Sequence, residues 1–353
     1  MAPWHVVKVH VPTLPSLKKT LAKLPPRPVS TIRRGAKAML RKETPLLTQL
    51  VVIRRCNLSC GYCNEYDDFS DPVPTDVLLE RVDHLASLGN LILTLTGGEP
   101  FMHPELDRIV ERGVKHGMIV TSISNAYPVT RKRIEQMNRA GLTLLQVSVD
   151  NIEPNDVSQK SWSKIKKRLL VMQEHAQFDI NVNAVLGSSP PPQTRVLIDE
   201  IRALGFYMTV GLMHDHSGQI DAGLIGDQLP EFYEEMLGKR NTSVFHQFGE
   251  GWERKMLRGG HAPYKCRAGS RYLYVDERGL VSYCSQRRNE PGIPILDYQR
   301  SDLLREFETA KGCEDACTIA CVRRASSLDE WRSQNPAAPS SQQDGSRVHL
   351  PLV

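Results

Sequence analysis

The sequence contains no run of about 18 apolar residues, the length that a helix needs to cross a lipid bilayer. Its first residues also lack the apolar stretch of roughly 7–15 residues that marks a secretory signal peptide. We therefore expect a cytoplasmic protein without a transmembrane helix. The 353 residues suggest about two domains, and the hydrophobic content of 40% is enough for a sizeable core.

Cysteine is absent between residues 64 and 265. Three of the eight cysteines lie within residues 56–63, and the other five lie within residues 266–321. Cytoplasmic proteins rarely keep disulfides, so this many cysteines indicate metal or redox chemistry. Their distribution predicts two metal-binding regions.

Acidic residues are nearly absent from residues 1–44, which contain ten Lys or Arg and only one acid, Glu43. Such a basic amphipathic arm can lie on an anionic membrane surface. A solvated arm, or a helix packed on the main domain, explains the same pattern. The net charge of +5 is too small to indicate a nucleic-acid partner. The apolar residues of the arm form two stripes, Leu14, Leu17, Leu21 and Leu24, then Ile32, Ala36, Met39 and Leu40.

From residue 49 to about residue 240, apolar β-type runs alternate with helical segments, which predicts βαβ units and a parallel sheet. Right-handed crossovers would curl such a sheet into an open or closed barrel. The predicted strands cover residues 49–54, 91–96, 118–123, 144–149, 180–186 and 207–213. The predicted helices cover residues 75–88, 104–115, 130–140, 156–176 and 194–204.

The predicted fold class is therefore α/β, a partial (β/α)6 TIM-like barrel with a small C-terminal, cysteine-rich α+β extension. Residues 1–44 form the basic arm, and residues 45–240 form the barrel. Residues 241–330 form a linker and the extension, which contains a hairpin of strands 271–275 and 280–283. Residues 331–353 have the polar, Pro- and Ser-rich composition of a disordered tail.

Two short motifs lie where the first two strands end. The pattern C-x3-C-x2-C, formed by Cys56, Cys60 and Cys63, follows the first strand. Gly97-Gly98-Glu99-Pro100 follows the second. Active sites of β/α barrels lie at the carboxyl ends of the strands. Three thiolates on one loop can hold three irons of a cubane cluster and leave the fourth iron open. A three-cysteine zinc site would need a fourth ligand such as histidine, and no histidine lies between residues 49 and 83.

These motifs resemble the signatures of the radical S-adenosylmethionine (radical SAM) enzymes. The resemblance implies a [4Fe–4S] cluster whose open iron chelates S-adenosylmethionine, and an external flavodoxin- or ferredoxin-type electron donor. It also implies that Tyr62 lies beside the adenine, and that Gly97, Gly98 and Glu99 lie near the methionine amino group. Further cofactor contacts are expected at the strand ends, where local backbone hydrogen bonding is the other explanation: Asn125, Ser148, Asp150, Asn183 and Met213.

The second cysteine group resembles the SPASM or twitch extension of that family. Twelve residues separate Cys266 from Gly279, and four separate Gly279 from Cys284. The resemblance implies one auxiliary [4Fe–4S] cluster held by Cys266, Cys284 and two of the remaining three cysteines. A structural zinc site is the other reading. The remaining three cysteines are Cys313, Cys317 and Cys321. They would share one helical face if their segment is helical.

The sequence thus predicts a radical SAM enzyme that takes hydrogen from an unidentified substrate. A small metabolite, a lipid or a cofactor precursor is favoured, and modification of a ribosomal peptide or protein is the main alternative. A non-catalytic iron–sulfur or zinc protein is the second alternative. The residue that donates hydrogen or acts as a base is not predicted.

Overall fold

The computed structural model describes residues 29–215, 217–220, 229–239, 253–254, 256–262 and 264–330. The apolar stripe at 14–24, the first 28 residues of the basic arm and the tail after residue 330 lie outside the described residues. None of the described helices is long and apolar enough to cross a membrane.

The core of the protein is a mixed sheet of nine strands in the order β6-β5-β4-β3-β2-β1-β7-β8-β9. Strands β1–β6 are parallel, and each pairs with the next strand in the chain. The strands are β1 Leu47–Ile53, β2 Ile92–Gly97, β3 Ile119–Ser124, β4 Leu144–Ser148, β5 Asp179–Leu186, β6 Tyr207–Leu212, β7 Tyr272–Val275, β8 Leu280–Ser282 and β9 Pro291–Pro294. The helices are α1 Val29–Leu40, α2 Thr75–Leu88, α3 Leu106–Lys115, α4 Arg131–Ala140, α5 Trp162–His175, α6 Pro191–Ala203, α7 Leu229–Lys239, α8 Arg300–Glu308 and α9 Ala320–Ser327.

The prediction of an α/β partial barrel is confirmed. The strand order is linear, with β6 and β9 at opposite edges, so the sheet is open. Side chains from all six parallel strands nevertheless face one cavity, which shows that the sheet curls around it. Two helices end at glycines that the sequence places after them. Gly89 and Gly141 take up the left-handed conformation after α2 and α4.

Two predicted helix boundaries are wrong for local reasons. Helix α5 begins at Trp162 and not at residue 156, because the Asn155 side chain accepts from the backbone N–H of Val157 and Ser158 and holds a turn there. Helix α6 begins earlier than predicted, at Pro191, because a first-turn proline has no N–H that needs a partner.

The hairpin of the extension continues the barrel sheet. Strand β7 pairs in parallel with β1 over four residues, from Leu47↔Tyr272 to Leu50↔Val275. Strand β8 turns back against β7, and β9 pairs with β8. The C-terminal region is therefore joined to the barrel through backbone hydrogen bonds, which places it beside the first strand and the loop that follows it.

Helix α1 packs across the end of the sheet where the parallel strands begin. The Arg34 guanidinium donates to the carbonyls of Asn90 and His116 at 3.0 and 2.9 Å, and Thr31 Oγ1 donates to the Gly117 carbonyl at 3.0 Å. Its own C-terminus is held by the fully buried Arg271, which donates to the Ala38 carbonyl at 2.5 Å and pairs with Asp329. Residues 29–44 are thus an ordered part of the fold.

The carboxyl ends of β1 and β2 touch through their backbones. Gly98 N donates to the Ile53 carbonyl at 2.9 Å, and Glu99 N donates to the Arg55 carbonyl at 3.0 Å. A Cβ atom on Gly97 would lie 1.9 Å from the Ile53 oxygen, and one on Gly98 would lie 2.2 Å from the Arg54 oxygen. Both glycines are therefore required by close packing of the two strand ends.

The first prediction follows from this contact. Gly98→Ala should destabilise the protein by about 1–3 kcal/mol, because its new methyl group meets backbone that cannot move aside easily. The change is measured as a fall in the urea midpoint of the apo protein. Gly238→Ala is the matched control, because a Cβ there meets nothing within 4 Å and the helix should gain slightly. Equal midpoints for the two variants would contradict the packing argument.

Candidate active site

The loop that follows β1 presents its three cysteines to one cavity of about 270 Å³ at the carboxyl ends of the strands. Cys56 N donates to the Asp67 carbonyl at 2.9 Å, and Cys63 N donates to the Cys60 carbonyl at 3.1 Å. Gly61 N donates to the Val157 carbonyl at 3.1 Å, so the loop after β4 supports the middle of the cysteine loop. The cysteine loop is therefore held from both sides.

Hydrogen-bond donors lie close to the thiols of Cys56 and Cys60. Leu58 N lies 3.4 Å from Cys56 Sγ, and Asn125 Nδ2 lies 3.6 Å from the same sulfur. Gln159 N lies 3.4 Å from Cys60 Sγ. Burial raises the pKa of Cys56 to about 11, and it also raises the pKa of Cys63. Iron would have to displace these protons, and the surrounding N–H groups suit the anionic sulfurs that would result.

Gly97 and Gly98 line the same cavity, whereas Glu99 lies behind it and is fully buried. Glu99 accepts from the backbone N–H of Phe101 at 3.0 Å, from Ser124 Oγ at 2.8 Å and from Asn125 N at 2.7 Å. Burial raises its pKa to about 7, although the three donors favour the charged form. In this arrangement Glu99 links the end of β2 to the end of β3.

Tyr62 and Asp150, which were predicted as separate cofactor contacts, bind one another. Tyr62 Oη donates to Asp150 Oδ2 at 2.8 Å, and Ser158 Oγ donates to the same oxygen at 2.7 Å. Lys160 Nζ donates to Tyr62 Oη at 2.8 Å. Burial alone would lower the pKa of Lys160, but Tyr62 and Asp150 raise it well above its usual value. These contacts tie the cysteine loop to the loop after β4.

Three other predicted contacts, Asn125, Ser148 and Asn183, line the cavity. Ser148 and Asn183 are partners in the register of β4 and β5. Asn183 Oδ1 also accepts from Thr209 Oγ1 at 2.8 Å. Met213 is buried just beyond β6, and its N–H donates to the Leu186 carbonyl at 3.0 Å. The strand-order argument thus placed most of these side chains at one site.

Sequence reasoning missed a polar group of residues on the side of the cavity that faces the extension. Glu65 accepts from Tyr274 Oη at 2.5 Å, and Gln49 Oε1 accepts from Tyr272 Oη at 2.5 Å. Gln49 could have been found from the sequence, because it is a polar residue inside the apolar strand β1. Further polar residues of the cavity wall that the sequence argument missed include Tyr66, Gln146, Lys160, Ser285, Thr318 and Arg324. His214, the first residue of the His-Asp-His sequence after β6, also lines the cavity, whereas His216 lies outside the described residues.

The C-terminal cysteines do not share one helical face. Cys313 and Cys317 lie in the irregular segment before α9, and only Cys321 lies within that helix. Cys321 lines the cavity together with Cys56, Cys60 and Cys63. Among the described residues, no group of three or more His, Cys, Asp or Glu side chains is gathered closely enough to hold a metal ion.

Comparisons with known proteins agree with this geometry. The family model for the radical SAM superfamily matches residues 50–211, which contain both motifs. The chain is 35% identical over 269 residues to the AdoMet-dependent heme synthase of Methanosarcina barkeri, covering 69% of this chain and 77% of that relative. It is 29% identical over 149 residues to the PqqA peptide cyclase of Bradyrhizobium diazoefficiens, covering 40% of this chain and only 39% of the cyclase.

The fold also matches solved structures. The crystal structure of Streptococcus suis SuiB bound to the precursor peptide SuiA superposes with a TM-score of 0.57 at 15% identity, covering 90% of this chain and 79% of SuiB. The structure of SuiB bound to S-adenosylmethionine superposes with a TM-score of 0.56 at 17% identity, covering 81% and 76%. These matches show the fold. The family model and the relative at 35% identity show that the chain belongs to the radical SAM superfamily, whose reactions use S-adenosylmethionine and a [4Fe–4S] cluster.

Proposed function

We propose that Cys56, Cys60 and Cys63 hold the catalytic [4Fe–4S] cluster of this radical SAM enzyme, and that its substrate is a carboxylate-bearing cofactor precursor of the tetrapyrrole class. The observation that carries the first part is the cavity itself. Three thiols with N–H donors against their sulfurs share it with the Gly97-Gly98 turn and with the polar ends of β3–β5. This donor set fits a cluster with three protein ligands.

When bound, the cluster supplies the electron that cleaves S-adenosylmethionine to methionine and the 5′-deoxyadenosyl radical, which takes a hydrogen atom from the substrate. The residues of the chain bind and orient the cofactor and the substrate, and they exclude water. Ser148 and Asn183 offer hydroxyl and amide groups to the nucleoside. Tyr62 and Asp150 act by holding the cysteine loop, and Lys160 offsets negative charge at the thiolates of Cys60 and Cys63. The electron donor, of flavodoxin or ferredoxin type, stays a prediction.

Zinc at the same residues is a weaker alternative. A zinc ion lies about 2.3 Å from each thiolate, so its ligands must converge tightly on one point. The cysteines of the described segments are not gathered in that way. The match of the radical SAM family model to this segment, and the N–H groups beside the sulfurs, favour iron and sulfide.

The cationic side of the cavity supports an anionic substrate. Lys160 and Arg324 line the wall. Glu65 also lines the cavity, and burial raises its pKa. Carboxylates such as the propionates of a tetrapyrrole are good partners for these cations. The relative that this chain matches over 77% of its length is named a heme synthase, which points to the same class of substrate.

A peptide is the second candidate substrate. A wider groove of about 860 Å³ lies beside the loop after β4 and is lined by residues 155–157 and 187–191 and by parts of α6 and α7. One relative is named a peptide cyclase, and SuiB binds a precursor peptide. The groove could take an extended chain.

The position of the exposed face of helix α1 argues against a bilayer lipid as the substrate. Its outward face exposes Val29, Ile32 and Leu40 by 80%, 65% and 78%, and exposed Arg33 and Lys37 lie beside this apolar stripe. We infer that this face can contact an anionic membrane. It lies at the amino ends of the strands, however, and the cavity opens at the carboxyl ends. A membrane bound there would face away from the active site.

The second prediction tests the catalytic cysteines. In anaerobically reconstituted protein, Cys60→Ala should lose about four irons per chain and all 5′-deoxyadenosine formation with dithionite. Ser59→Ala, on the same loop, is the matched control and should keep both. Iron is measured by a ferrozine assay, and 5′-deoxyadenosine by liquid chromatography. Full iron content in the Cys60 variant would rule out the assignment.

The third prediction tests the substrate class. Iron-loaded porphyrins with propionate side chains should increase 5′-deoxyadenosine formation and undergo a change in mass, whereas their methyl esters should not. Arg324→Ala should lower kcat/KM by about tenfold through loss of a charged hydrogen bond, with substrate-free S-adenosylmethionine cleavage unchanged. Arg278→Ala, at an exposed arginine outside the cavity, is the control. Stimulation by peptides alone would favour the second candidate.

The fourth prediction concerns α1. The full chain should float with vesicles of phosphatidylglycerol but not with neutral phosphatidylcholine vesicles, and the double variant Ile32→Asp/Leu40→Asp should lose this binding. Val196→Asp, at an exposed apolar residue of α6, is the control. If the double variant still floats, α1 is not the membrane-binding surface.

A further inference from the structure

The five C-terminal cysteines divide into a group of four and a single residue, and we propose a different task for each. The structure assigns Cys266, Cys284, Cys313 and Cys317 as the complete ligand set of a second [4Fe–4S] cluster, and places Cys321 on the wall of the reaction cavity as a free thiol. The assignment of Cys321 rests on the proposed function of that cavity. The four-cysteine set stands on its own contacts.

Cross-links between three chain segments bring the four cysteines together. Cys266 N donates to Glu314 Oε1 at 3.1 Å, which fastens Cys266 beside Cys313. The Arg287 guanidinium, three residues after Cys284, donates to the Lys311 carbonyl at 3.0 Å and interacts electrostatically with the Cys313 thiol. The turn after β8 is thus fastened to the same segment.

Electrostatic contacts show the same grouping. The thiol of Cys266 interacts with those of Cys313 and Cys317, and the thiol of Cys317 interacts with those of Cys284 and Cys313. Every one of the four is therefore coupled to at least two others. Four thiolates are the usual complement for a cubane in which each iron has a protein ligand.

Backbone amides are placed as they are on the catalytic loop. The amide two residues after the cysteine acts on the thiols of Cys266, Cys284 and Cys317, through Ala268, Gln286 and Ile319. Leu58 occupies the same position relative to Cys56 in the first cysteine loop. Hydrogen bonds to sulfur stabilise iron–sulfur clusters, so the shared arrangement favours cluster ligation by these residues.

The surroundings of Cys321 differ from those of the other four cysteines. It lies in the first turn of α9, while Cys317 is in extended chain that bridges to Gln219. Its thiol interacts with Arg323, Arg324 and Glu65. Gln49 Nε2 lies 3.6 Å from its sulfur, and the residue lines the cavity that contains the catalytic cysteines. None of the other four is among the described residues that line that cavity.

The division has a chemical consequence. A cluster with four protein ligands has no open iron, so the second cluster does not chelate the substrate. It serves the fold or one-electron transfer. The thiol that can touch the substrate is Cys321, positioned by Gln49.

The test counts iron in a background that has no catalytic cluster. The triple variant Cys56→Ala/Cys60→Ala/Cys63→Ala should retain about four irons and four sulfides per chain after anaerobic reconstitution. Adding Cys321→Ser should leave that content and the electron paramagnetic resonance signal of the reduced cluster unchanged. Adding Cys266→Ser or Cys313→Ser should remove most of the iron. Since this background cannot cleave S-adenosylmethionine, failure of the proposed function would not alter these counts.

Alkylation gives a second measurement that needs no variant. In the reconstituted wild-type chain, iodoacetamide should label Cys321 alone among the five, and S-adenosylmethionine should slow the labelling. After removal of iron with a chelator, all five should be labelled. The proposal is wrong if Cys321→Ser loses the iron of the triple variant, or if Cys321 is protected while one of the other four is labelled.

Discussion

The structure depends on the contact between the backbone ends of β1 and β2. Gly97 and Gly98 approach the carbonyls of residues 53–55 so closely that no side chain fits between them. The cysteine loop begins at the next residue, so this contact sets where the loop starts relative to the glycine turn. Glu99 extends the link to β3 by accepting from Ser124 and Asn125. Three strand ends and the cysteine loop are thereby fixed as one unit.

A second constraint brings the C-terminal cysteines to the same place. Because β7 pairs with β1, the tyrosines of β7 reach residues at the cavity wall, with Tyr272 on Gln49 and Tyr274 on Glu65. Helix α9 then places Cys321 and Arg324 at the cavity. The extension is therefore part of the wall of the candidate site.

The buried polar network around Asp150 explains how the cysteine loop can be both exposed to a cofactor and well ordered. A loop with three thiols and two glycyl or seryl positions would be mobile if it stood alone. Tyr62 and Ser158 donate to Asp150, and Lys160 donates to Tyr62, which ties the loop to the segment after β4. Such preorganisation limits the cost of assembling a cluster and its bound substrate.

The sequence by itself determined the class of the protein. Strand and helix alternation predicted the partial α/β barrel, and the spacing of Cys56, Cys60 and Cys63 with Gly97-Gly98 predicted the site, because both signals are local and parallel strands end at one edge. Only the tertiary structure decided which polar side chains bind other groups of the protein and do not line the cavity. Tyr62, Asp150 and Glu99 are examples. It also separated Cys321 from Cys317, although both follow the same four-residue spacing. That spacing cannot show where α9 begins, and only the packing of α9 against β1 and β7 turns Cys321 toward the cavity.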